Sequence, residues 1–121
     1  MFSPTLPNRP QLMDQSSRLQ SLLDLWAQEP ADPFLRYALA TEYRKFDPAK
    51  AQGMYEQLMA DQPNYTATYY HLASLYRQMG EPVLAVEVYE KGLVVCRLVG
   101  DRHALNELQR AYQDLQDEDS E

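Results

Sequence analysis

Cys96 is the only cysteine in 121 residues. One cysteine excludes an internal disulfide and a metal centre built on cysteines, and it fits a reducing, cytoplasmic setting. No apolar run approaches the ~18 residues that span a bilayer. The opening stretch MFSPTLPNRPQLMD has three prolines and no apolar core, so it does not read as a signal peptide. Base is in deficit, with 11 Lys and Arg against 18 Asp and Glu, whereas a nucleic-acid footprint needs clustered, excess base. No glycine-rich phosphate loop is present. His71 and His103 lack a paired ligand spacing, and Glu87 and Glu90 have no second carboxylate pair beside them. Catalysis needs a convergent cluster of such groups, so the expectation is a non-enzyme without metal or cofactor.

The net charge of -7 is unevenly spread. Asp114, Asp117, Glu118, Asp119 and Glu121 crowd the last eight residues, which hold no base, while the body is nearly balanced. Such a run predicts a solvated, disordered acidic tail over 117–121. At the other end, Pro4, Pro7 and Pro10 disfavour helix and predict a flexible leader over 1–13.

Between these ends the pattern is helical throughout. Leu19, Leu22, Leu23 and Trp26 recur at helical spacing over about 15–28, and Glu29-Pro30 ends that run. Asp32-Pro33 and Asp47-Pro48 each combine an N-cap residue with a proline in the first turn, starting helices of about 33–45 and 48–60. Further helices follow over about 65–79, stopped by Gly80, and from Pro82 to a stop at Gly100. The sixth, about 102–116, has Leu105, Leu108, Tyr112 and Leu115 on one stripe. Core positions are expected at Leu35, Leu39, Ala51, Tyr55, Leu72, Tyr76, Ala85, Tyr89 and Cys96. Gly92, inside a helix, weakens it by about 1 kcal/mol relative to alanine, which a close helix contact would explain.

The chain also repeats. Leu39 and Tyr43, Leu72 and Tyr76, and Leu108 and Tyr112 are pairs with one spacing, and Ala51 with Tyr55 recurs 34 residues later as Ala85 with Tyr89. A period near 34 marks a stacked array of helical hairpins. The run Tyr69-x-x-Leu72-Ala73-x-x-Tyr76, Gly80, Ala85-x-x-x-Tyr89 resembles the tetratricopeptide repeat. Leu39-Ala40-x-x-Tyr43, Ala51-x-x-x-Tyr55, Pro63 is similar to the repeat before it. The likeness covers about 32–99, as repeats of about 32–65 and 66–99, with flanking helices as half-repeats. It departs in a turn one residue shorter after Tyr43, in Arg36 where a large apolar residue is usual, and in Arg97 where a repeat usually ends in proline.

The resemblance implies an all-α, right-handed solenoid of antiparallel hairpins over 14–116, with about six helices. It also implies a protein-interaction adaptor whose first helices line a concave groove for a partner's peptide or helix. Helical phase places Tyr37, Thr41, Arg44 and Lys45 there from the second helix, and Tyr70, Ser74 and Arg77 from the fourth, with His71 and Gln78 beside them. Asn106 and Arg110 come from the sixth, flanked by His103 and Gln113. Arg44, Lys45, Arg77 and Arg110 are expected to form a basic strip suited to an acidic or carboxylate-ended peptide; the tethered acidic tail is an alternative occupant, set against its plainer reading as a solvated tail. Members that clamp chaperone tails use lysines and asparagines at set positions, and this sequence lacks that set. The alternative is a self-associating subunit of a homo-oligomer that buries Trp26 or the edges of its terminal helices.

Overall fold

A computed structural model describes residues 9–119, with side-chain surroundings for 17–118. Six helices follow one another: α1 Arg9–Gln28, α2 Pro33–Tyr43, α3 Pro48–Asp61, α4 Ala67–Gln78, α5 Pro82–Val99 and α6 Arg102–Asp119. No strand occurs among the described residues. The Asp-Pro starts work as their chemistry dictates. The Asp32 carboxylate accepts from Phe34 N at 2.9 Å and Asp47 accepts from Lys50 N at 3.2 Å, each satisfying an amide that the first turn leaves unpaired. Gly80 and Gly100 stop α4 and α5 with φ of 76° and 78°, the left-handed region that side chains resist.

Consecutive helices pack as hairpins, α2 with α3 and α4 with α5, and α4 also touches α6. The array is thus an all-α solenoid of helical hairpins. Its core runs through the repeat positions: Leu39, Ala51, Tyr55, Leu72, Ala85, Tyr89 and Leu108 are all buried. The buried phenols are anchored by polar contacts, as Tyr69 donates to the Pro63 carbonyl at 2.7 Å and Tyr76 donates to Glu56. Ties one repeat apart align the turns. Gln62 Nε2 donates to the Ala31 carbonyl at 2.7 Å, and the Thr66 hydroxyl donates to Asp101 at 2.6 Å.

Three boundaries differ from the sequence reading. Residues 9–13, expected within a leader, open α1, because a proline such as Pro10 loses no hydrogen bond in a first turn; residues 1–8 lie outside the described residues. Helix α2 ends at Tyr43 rather than Lys45, since Lys45 N and Phe46 N bond three residues back in a tight turn. Residues 117–119, expected in a disordered tail, continue α6. Gln113 donates to Asp117 at 2.9 Å, and Glu118 pairs with Arg77 at 2.7 Å, a cation that offsets the poor placing of acid at a helix C-terminus. Residues 120 and 121 lie outside the described residues.

Candidate functional site

The first helices of the hairpins, α2, α4 and α6, share one face, and their polar residues meet there. Between α4 and α6 lies a cleft of about 420 Å³ lined by Tyr70, Ser74, Arg77, Tyr89, His103, Asn106, Glu107, Arg110, Ala111 and Asp114. Five of the nine residues expected in a groove, Tyr70, Ser74, Arg77, Asn106 and Arg110, therefore line one cavity.

The other four are placed differently, each already bonded within the array: Tyr37 and Arg44 to α4, Thr41 to α3 and Lys45 to Glu42. Arg44 reaches across, donating from Nη2 to Ser74 Oγ at 3.0 Å and to Gln78 Oε1 at 2.8 Å. Its Nε also donates to Gln78 Oε1 at 3.1 Å. Arg44 is a strut between repeats. The Tyr37 hydroxyl and His71 Nε2 share a hydrogen bond of 3.0 Å, and Thr41 pairs with the Tyr55 hydroxyl at 2.7 Å. Burial, with Arg44 close by, pushes the His71 pKa down, disfavouring the charged imidazole among Tyr37, Tyr55 and Tyr70. Lys45 bonds Glu42 at 2.9 Å, beside Arg18 of α1, and does not line the cleft. Arg44 and Lys45 therefore do not join Arg77 and Arg110 in the cleft: helical phase gives a facing direction but says nothing of the partners a side chain finds.

Within the cleft, Arg77 bonds Glu118 and also donates to the Tyr89 hydroxyl at 3.4 Å. Arg110 is exposed and, among the described residues, has no hydrogen bond or ion pair. Glu107 and Asp114 bring negative charge to the same walls. The sequence reading missed both, although their spacing from His103 and Arg110 puts them on the same side of α6. It also took Tyr89 for core alone. A wider, shallower depression of about 850 Å³ lies at the turn end, between Pro30–Ala31 and Asp61–Tyr65. Its one cation, Arg36, is already bonded to Asp61 at 3.0 Å, so the α4–α6 cleft is the better candidate. Among the described residues no group of three His, Cys, Asp or Glu is placed to hold a metal, and no helix is long and apolar enough to cross a membrane.

No family model and no curated protein sequence matches the chain. Solved structures do. A tetratricopeptide repeat domain protein from Salinibacter ruber is 40% identical in its crystal structure, at a TM-score of 0.66, over 70% of this chain and 96% of that one. Its solution structure gives 40% identity and a TM-score of 0.68, over 71% of this chain and 88% of that one. A protein from Bordetella parapertussis has a TM-score of 0.73 at 23% identity, covering 84% of this chain and 90% of that one. MamA has 0.58 at 18% identity, over 88% and 69%. These last two speak to the fold alone.

Proposed function

The chain belongs to the tetratricopeptide repeat family, and from that premise we propose that it is a protein-interaction module whose α4–α6 cleft holds a peptide segment of a partner protein. The observation that carries the reading is Arg110. It is an exposed guanidinium on the wall of a cleft, has no partner among the described residues, and stands beside Asn106 and Arg77. A guanidinium takes a carboxylate by two parallel hydrogen bonds, and Tyr70 gives rigid contact area with few rotatable bonds. Glu107 and Asp114 on the same walls repel a long acidic run. The ligand this favours is a peptide with one carboxylate, a side chain or a chain end, flanked by neutral or basic residues. Binding rather than catalysis is the role, in a cytoplasmic setting that suits the unpaired, buried Cys96.

Fluorescence anisotropy tests this with a short peptide carrying one glutamate between neutral residues and its glutamine counterpart. The glutamate form should bind, and Arg110→Ala should weaken it about tenfold or more, the worth of a hydrogen bond to a charged group. Equal binding of the glutamine form, or indifference to Arg110→Ala, would remove carboxylate recognition from the cleft.

A further inference from the structure

Helix α5 carries a group of exposed apolar side chains that neither the core nor the cleft uses. Val83 is 70% exposed, Val94 55% and Leu98 81%, and Leu84 is exposed beside them. Leu84, Glu87, Lys91, Val94 and Leu98 fall at alternating three- and four-residue steps. That is one straight seam along the helix, in the a and d phase of a two-stranded coiled coil. The repeat itself does not require it. One repeat earlier, the same positions on α3 are Lys50, Gly53, Gln57 and Ala60, none of them a large apolar residue. An apolar stripe that the fold does not need marks an interaction face.

The charges within the stripe select its partner. Glu87 and Lys91 are exposed and one turn apart, yet neither makes a hydrogen bond or ion pair among the described residues. Laid parallel and in register on a second α5, Glu87 meets Glu87 and Lys91 meets Lys91. Laid antiparallel about Lys91, the two lysines collide. Laid antiparallel about a two-fold axis level with Tyr89, Glu87 faces Lys91 of the second copy and Leu84 faces Val94 of the second copy. Symmetry makes each pairing twice, and a positions meet d positions throughout. Leu98 then lies over the start of the second copy's α5, near its exposed Met79.

We infer that α5 is the seam of a homodimer, two copies packing this stripe antiparallel with reciprocal Glu87–Lys91 pairs. The seam lies on the hairpins' second helices, away from the face where α2, α4 and α6 meet, so both clefts stay open. Such a dimer offers two clefts to a partner that carries two segments and binds it with the gain of a tethered second site.

Sedimentation of the full chain tests the seam with Glu87→Lys and Lys91→Glu. Both positions are exposed, and far-UV circular dichroism checks that each variant remains folded. The unmodified chain should dimerise. Each single variant puts like charges opposite one another and should dimerise about tenfold or more weakly. Mixed in equal amounts, the two variants restore opposite charges across the seam and should form a heterodimer as tight as the original. A chain that stays monomeric at high concentration overturns the inference. So does a dimer indifferent to either substitution, or a mixture that stays apart.

Discussion

Gly92 is where α5 comes closest to its neighbours. A Cβ there would lie 2.6 Å from Tyr69 Cβ and 2.8 Å from Leu108 Cδ1; the Leu108 side chain can turn aside, but Tyr69 Cβ moves only with the helices themselves. The weakness of glycine in a helix is thus offset by close packing of three helices, the reason anticipated from its position alone. Gly53 on α3 is the contrasting case, since nothing lies within 4 Å of its missing Cβ. Gly92→Ala should destabilise the chain by about 1–3 kcal/mol, the range for overpacking. Gly53→Ala should stabilise it by about 0.5–1 kcal/mol through helix propensity. Urea denaturation of both variants measures the difference; a gain in stability for Gly92→Ala would mean that α5 is less closely seated than described.

At the scale of the element, helix starts depend on local chemistry, and they differ from one another. Asp32 and Asp47 cap α2 and α3 through their side chains, whereas Glu81 makes no such bond at the start of α5. Asp32→Ala and Asp47→Ala should therefore each lower stability by about 1 kcal/mol, while Glu81→Ala changes it little. Comparable losses at all three sites in urea denaturation would show that charge near the helix start, rather than the cap bond, sets the cost. Local chemistry is also why these starts were legible in the sequence. The outer ends of α1 and α6 were not. The course of α6 past 116 depends on Arg77, 41 residues from Glu118, and no local pattern contains that contact. The candidate site divides in the same way. Facing direction follows from 3.6-residue periodicity, so Tyr70, Ser74, Arg77, Asn106 and Arg110 were legible. The bonds that occupy Arg44 depend on Ser74 and Gln78, set opposite it on another helix by packing, whereas Lys45 is held by Glu42, three residues back.

The whole molecule is a line of helices, each stabilised mainly by its immediate neighbours, so stability is not uniform along it. The middle helices α3, α4 and α5 have partners on both sides, whereas α1 packs chiefly on α2. Trp26, the only tryptophan, lies on α1 and donates to the Pro30 carbonyl at 3.2 Å. Its fluorescence should therefore change at lower urea than the far-UV signal of the full array. Coincident transitions would place α1 inside the same cooperative unit as the centre. The 34-residue period made this linear plan legible, because it recurs whatever surrounds it. The apolar face of α5 went unread because its exposure depends on which side of the hairpin its neighbours cover. Arg44 gives the array one further property. Its bonds to Ser74 and Gln78 join the inner edges of adjacent hairpins, while the interior between them is closed by apolar contact. Polar links at a wet edge exchange readily with water, whereas pulling apart an apolar interior exposes it. Arg44→Ala should therefore loosen the polar edge of this seam and leave its apolar interior closed.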